Sequence, residues 1–256
     1  YKSGDLKGTH VWNLIIWALS DITGSYTKAI ELISEEIKLP HTILPVSNES
    51  AQICAELETW QRIEWERQII KRRNPAKIKR YFLNTPAEAN PKAIDAIKQA
   101  DICIICPWVL GTWIISTLLH EWLQDAIMES ECKLVHFCNI MTYPSQTDNF
   151  SVSNHVQLLE QYTWKPLDKI YANLLPPPGY LLDHYKTYWS ELVEIDQENL
   201  QWRDVVCDNF LIDYTDSDFH LELERAAGKN QNVWLHFIRH DADKIVSHID
   251  TLIKHI

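Results

Sequence analysis

The sequence predicts an α/β fold, a doubly wound and mainly parallel sheet with a helical and short-strand insert near the N-terminus. Three observations lead there. Strand-like and helix-like segments alternate from Pro91 onward, as βαβ units require. Asp101-Ile-Cys-Ile-Ile-Cys106 is a continuous apolar run, the pattern of a parallel strand buried on both faces. The first ninety residues keep a different rhythm, with two amphipathic helical stretches followed by short strands.

Taken in order, Val11, Leu14, Ile15 and Ala18 are spaced for a helix over Val11 to Leu19. A second helix is expected from Tyr26 to Ile37, with Ser25 or Thr27 as its cap and Pro40 beyond its end. Ile43 to Val46, Ile53 to Leu57 and Ile78 to Leu83 read as short strands. Pro91 opens a helix through Ala100, and the apolar strand 101–106 follows. A turn at Pro107 leads into a long helix over roughly 112–129. Then come a strand from Lys133 to Cys138, a polar loop from Thr142 to Ser151, and a helix from Ser153 to Tyr162. Asp168 to Asn173 and Val205 to Ile212 read as strands, and Asp241 to His255 as a closing amphipathic helix. The whole is expected to be one Rossmann-like domain over 1–256, with 1–90 the helical and short-strand part and 91–256 the βα part. Because the chain starts at Tyr1, it is expected to be a fragment with no signal peptide.

The bulk numbers exclude several functions. A formal charge of −11 argues against a nucleic-acid binder, which needs a basic surface. No apolar run approaches the roughly 20 residues of a membrane span. The six cysteines lie mostly in apolar stretches, and Cys103 and Cys106 have no second pair at metal-ligand spacing, so structural thiols in a reducing cytoplasm are expected. Tryptophan outnumbers glycine, 11 to 6, whereas ordinary usage at roughly 7% gives about 18 glycines.

Ligands in such sheets bind at the carboxyl ends of the strands. That directs attention to two loops. Cys106-Pro-Trp-Val-Leu-Gly-Thr-Trp113 is a strand-to-helix turn, suited to phosphate through free backbone N–H groups, with Gly111 allowing close backbone approach and Thr112 adding a hydroxyl. A plain β–α turn fits the same spacing. Cys138-Asn-Ile-Met-Thr-Tyr-Pro-Ser-Gln-Thr-Asp148 offers Asn139, Thr142, Thr147 and Asp148 to a sugar or base edge, and equally to its own turn. Asn13, on an otherwise apolar helix, needs either a backbone partner or a ligand if it is buried. The basic run from Lys71 to Arg80 reads as a solvated face. Asp241 reads as a helix cap more readily than as the partner of His240 in a catalytic pair.

The stretch from Ala100 to Val156 resembles the gluconeogenesis factor (YvcK-like) branch of the family that includes 2-phospho-L-lactate transferase, the CofD-like proteins. Its second motif, Cys-Asn-Ile-Met-Thr-Tyr-Pro-Ser-Gln-Thr-Asp-Asn-Phe-Ser-Val-Ser-Asn-His-Val156, is similar to the family's C-N-L-M-T-Q-P-G-E-T-D-G-Y-S-V-x-D-H-V. Gly8-Thr-His-Val-Trp-Asn-Leu14, Leu44-Pro-Val46 and Ala55-Glu-Leu-Glu-Thr-Trp60 are similar to its G-H-x-x-G-N-L, L-P-V-T and A-E-L-E-D-G segments. The resemblance implies a cytoplasmic regulator of carbon metabolism and cell shape that binds a nucleotide or nucleotide sugar. Its alternative is a transferase acting on a deazaflavin acceptor with Mg. Protein partners stay unassigned, and no catalytic or metal-binding residue is picked out.

The implied ligand-binding set is Asn13, Pro107, Trp108, Thr112, Asn139, Thr142 and Asp148, with Gly111 added on its backbone argument alone. The chain departs from the family at Thr9, Cys106, Val109 and Gly111, and it lacks the opening glycine-rich loop and the D-D-G-G-S segment. Trp12, Trp60, Trp65, Trp108, Trp122 and Trp164 fall where the family pattern has glycine. A UGA codon read as glycine in the cell, and as tryptophan in translation, leaves this trace.

Overall fold

The computed structural model describes residues 9–72, 76–213, 215 and 237–254. Two helices open it, α1 (Val11–Thr23) and α2 (Tyr26–Glu36), packed as a hairpin. Gly24 ends α1 in the left-handed conformation, and the Ser25 hydroxyl caps α2 by accepting from the Lys28 N–H. An antiparallel sheet follows, with β1 (Ile53–Leu57) between β2 (Arg62–Glu64) and β3 (Ile78–Leu83), and a short α3 (Glu66–Lys71) bridging β2 to β3. Ile43–Val46 is no strand. Pro45 has no N–H for a ladder, and the Pro45 and Val46 carbonyls instead accept from Asn90, the cap of α4 (Pro91–Gln99).

The second sheet is parallel and its strands lie side by side in chain order: β4 (Ile102–Ile105), β5 (Lys133–Phe137), β6 (Lys169–Asn173) and β7 (Val205–Asp208). Its strands carry Ile, Val, Leu, Phe and Tyr on both faces, and both faces are covered. On one side Leu134, Ile170 and Ala172 join the main core with α7 (Val152–Thr163) and the helical turns that follow β4. On the other, Phe137 stacks on Tyr171 at 4.4 Å between ring centroids and Phe210 meets it edge-on at 5.7 Å. The closing helix α9 (Ala242–Ile253) lays Ile245, Ile249 and Leu252 against that aromatic group, a single stripe at helical spacing. A further helix, α8 (Gly179–Lys186), lies between β6 and β7 in the chain.

The expected long helix over 112–129 is broken. A π-helical segment, Leu110–Ile115, runs into one turn, α5 (Ser116–Leu118), and the chain restarts as α6 (Leu123–Glu129). The break falls at Trp122, whose φ of 71° cannot continue a right-handed helix. Asp241 is the N-cap of α9, accepting from the N–H groups of Asp243 and Lys244. The last residues of the expected closing helix lie outside the described residues. Among the described residues no helix is long and apolar enough to cross a membrane.

Candidate functional site

β4 and β5 end together, with Ile105 paired to His136, so the loops leaving them share one edge of the sheet. Pro107 cannot extend the β4 ladder, and the chain turns away there. Asn139, just past β5, donates from Nδ2 to the Trp108 carbonyl at 2.8 Å and so ties the two loops. Its Oδ1 is buried and has no partner among the described residues. Neither do the backbone N–H groups of Trp108 and Val109 find a protein acceptor among them.

A third segment closes the edge. Phe237–His240 returns beside β5, where His240 Nε2 donates to the Cys138 carbonyl at 3.1 Å and the Ile238 N–H donates to the Tyr185 hydroxyl at 3.0 Å. Between these walls lies a cavity of about 610 Å³. Pro107, Trp108 and Val109 line one side, Asn139 to Tyr143 the floor, and Tyr185 with Ile238, Arg239 and His240 the other. A cavity this size suits a small organic ligand, and its few polar groups converge from three segments. Arg239, exposed at the edge, is its cation.

Three buried imidazoles brace this edge. His136 donates from Nδ1 to the Ile105 carbonyl at 3.1 Å, and His155 from Nδ1 to the Ser151 carbonyl at 2.8 Å. Burial lowers the His136 pKa to about 3 and those of His155 and His240 to about 4. All three therefore stand neutral at physiological pH.

The sequence-derived candidates divide. Pro107, Trp108, Asn139 and Thr142 come together on the cavity wall. Thr142 is nevertheless occupied, since its hydroxyl accepts from the Glu191 N–H and its carbonyl from the Ser190 hydroxyl. Four candidates do not reach the cavity. Asn13 is exposed on α1, so the burial that would have demanded a partner is absent. Gly111 is buried against Tyr81, and a Cβ there would lie 2.1 Å from the Tyr81 hydroxyl; its close backbone approach is to protein, not to a ligand. Thr112 is buried and bonded twice to Gln146, its N–H donating to Oε1 at 2.9 Å and its hydroxyl accepting from Nε2 at 3.2 Å. Asp148 is exposed and caps the Ser145 N–H at 3.1 Å. The basic run also needs correcting at Arg72, which is half-buried and donates to the Ser145 carbonyl.

Sequence reasoning missed Arg239, Tyr143 and Tyr185. Tyr143 sits inside the candidate loop, beside Thr142, while Tyr185 and Arg239 come from segments far off in the chain whose only local signal was the His240-Asp241 pair. Among the described residues no group of three or more His, Cys, Asp or Glu is placed to hold a metal, and no acidic side chain lines the cavity. The residues present do not fit a divalent ion there.

Fold and site together define an α/β protein with a crevice at the carboxyl edge of a parallel sheet. The sequence profile described as 2-phospho-L-lactate transferase CofD matches residues 1–211, and the chain belongs to that family. A relative in Thermotoga maritima, provisionally named a gluconeogenesis factor, is 35% identical over 216 residues, covering 84% of this chain and 68% of its own. The gluconeogenesis factor of Bacillus subtilis is 32% identical over 203 residues, covering 78% and 63%. A crystal structure of a UPF0052 family member from Bacillus halodurans superposes with a TM-score of 0.84 at 26% identity, covering 97% of this chain and 74% of that one. The chain thus spans roughly two thirds of the length of these relatives.

Proposed function

We propose that this protein is a regulator of the gluconeogenesis-factor type that binds a nucleotide or nucleotide sugar, linking carbon flux to cell shape in the cytoplasm. The observation that carries this reading is a 610 Å³ crevice lined by Asn139, whose buried Oδ1 has no partner among the described residues. An unpaired buried acceptor costs free energy that a ligand donor recovers, and a sugar hydroxyl or base N–H is such a donor. The N–H groups of Trp108 and Val109, without a protein acceptor among the described residues, suit an anion equally well, with Arg239 as counter-charge. The resemblance supplies the nucleotide.

The transferase reading draws on the family's description alone. Among the described residues no carboxylate set lines the crevice to hold a metal against the diphosphate charge of its donor. Calorimetric titration with a nucleotide sugar separates the two. Saturable binding that leaves the ligand intact supports the regulator. Phosphoester formation on a deazaflavin alcohol supports the enzyme, and silence in both assays overturns the ligand site.

A further inference from the structure

The tryptophans stand in glycine geometry. Eight non-glycine residues among the described ones have positive φ: Lys38, Trp60, Trp65, Trp122, Ser145, Asn149, Trp164 and Trp189. Small or polar residues such as Asn enter that region at modest cost, whereas a bulky side chain there is an outlier. Five of the eight are tryptophan.

These five occupy positions where the backbone job is one that glycine performs. Trp60 closes the β1–β2 hairpin: its N–H donates to the Leu57 carbonyl, and the Leu57 N–H to the Gln61 carbonyl, both at 2.9 Å. That is a three-residue loop whose last position must be left-handed. Trp164 ends α7 at φ 56°, ψ 13°, with its N–H on the Glu160 carbonyl at 3.1 Å. Trp189 follows α8 with the paired bonds of a Schellman motif, Trp189 N–H to the Lys186 carbonyl at 3.0 Å and Ser190 N–H to the Tyr185 carbonyl at 3.2 Å. Trp122 breaks the helix between α5 and α6 at φ 71°. Trp65, at φ 74° and ψ 133°, lies beyond the left-handed well, toward the region that is essentially glycine's alone.

Exposure is an independent observation. Trp12, Trp17, Trp60, Trp65, Trp108, Trp113, Trp122, Trp164, Trp189 and Trp202 are all between 51% and 82% exposed, and no described tryptophan is buried. Tryptophan is highly buried on average, because its large apolar ring belongs in a core. The contacts these rings make are opportunistic: Trp108 meets Trp113 edge-on at 6.2 Å, and Lys79 Nζ sits 3.3 Å over Trp60. Ten large rings that fill no core are ten positions where the fold needs no side chain.

We infer that Trp60, Trp65, Trp122, Trp164 and Trp189 are glycine in the protein its own cell makes, the messenger carrying UGA there and the host decoding UGA as glycine. Trp108 joins them by exposure and by its place in the motif, and it matters most for the site. Glycine at 108 takes an indole off the rim of the crevice and leaves the neighbouring amides open to an anion.

The gene and the native protein decide this. UGA is expected at all five codons, and peptides from the native protein are expected to be lighter by one indolylmethyl group per position. UGG at those codons, or peptides of tryptophan mass, overturns the inference. Recombinant protein gives a second readout independent of ligand. The variant W60G/W65G/W122G/W164G/W189G is expected to melt higher than the chain with five tryptophans, and a lower melting temperature counts against the inference.

Discussion

The two loops at the carboxyl edge of the parallel sheet do opposite work. The loop after β5 spends its polar groups on itself. Thr142 is bonded to Glu191 and Ser190, the Tyr143 N–H to the Thr147 hydroxyl, the Ser145 N–H to Asp148, and Gln146 reaches across to Thr112. The loop after β4 is nearly unbonded: over residues 107–109 the described partners of the backbone carbonyls and N–H groups are Asn139 and the helical turn that follows. The loop with the more polar sequence is the scaffold, and the loop that looks apolar holds the free donors. A row of short polar side chains is therefore weak grounds for a ligand site until their partners are known, since each can be satisfied locally.

Acid should break this arrangement most severely. His136, His155 and His240 tie Ile105, Ser151 and Cys138, the ends of β4 and the start and finish of the β5 loop. Each has a folded pKa (about 3, about 4 and about 4) below the unfolded value of roughly 6.5. The unfolded chain binds these protons first. Stability is therefore complete above pH ~6.5 and falls as pH drops toward 4, by up to ~1.4 kcal/mol per pH unit for each imidazole. Urea unfolding at pH 7.5 and pH 5 is expected to differ by several kcal/mol, and the variant H136Q should shrink that difference. An unchanged midpoint between the two pH values would sink this account.

Gly111 sharpens the distinction between a ligand loop and a packed one. A Cβ there meets the Tyr81 hydroxyl at 2.1 Å and Gln146 Oε1 at 2.6 Å. Tyr81 is 4% exposed and has little room to retreat. Gly111→Ala is expected to cost about 1–3 kcal/mol by overpacking, with ligand affinity of the folded protein unchanged. A lost affinity at full stability would restore Gly111 to the site. The bridge beside it behaves similarly. Gln146→Leu strands the buried Thr112 N–H and hydroxyl, a loss of about 1–3 kcal/mol measurable by denaturant unfolding.

The sequence made the elements with a single clear physical signal legible. The apolar run 102–105, Pro91 as first residue of α4, Ser25 and Asp241 as caps, and the stripe on α9 each follow from local chemistry. The break at Trp122 was not legible in propensity, because nothing in a tryptophan announces a left-handed residue, and only the glycine of the family pattern at that position hinted at it. Glycine at that position would have announced it. The far wall of the crevice was hidden for another reason. Tyr185 and Arg239 are brought to this edge by contacts such as the Ile238–Tyr185 bond, the His240–Cys138 bond and the pairing of Leu211 with His240, long-range contacts that no window of sequence contains. Ser145 and Asn149, both at positive φ, stand where the resembling motif has glycine. Those substitutions are readable, since a small or amide side chain tolerates the conformation.

The smallest effect on stability, and the sharpest on function, belongs to Asn139. Its side chain belongs to both loops, donating to the Trp108 carbonyl while its buried Oδ1 has no partner among the described residues. Asn139→Ala removes one half-exposed hydrogen bond, worth roughly 0.5–1.5 kcal/mol, and also relieves the unpaired acceptor, so the net change in unfolding free energy should stay under ~1 kcal/mol. Ligand affinity should fall about tenfold, the equivalent of ~1.4 kcal/mol for one hydrogen bond that only the complex makes. Asn139→Asp separates its two roles. The carboxylate keeps an acceptor in the crevice, loses the donor to Trp108, and sets a negative charge beside the amides expected to face an anion. Binding of an anionic ligand should then weaken more than in the alanine variant. If the aspartate variant binds as well as the parent, the ligand touches neither Asn139 nor the β4 amides, and the free donors of that loop face solvent alone.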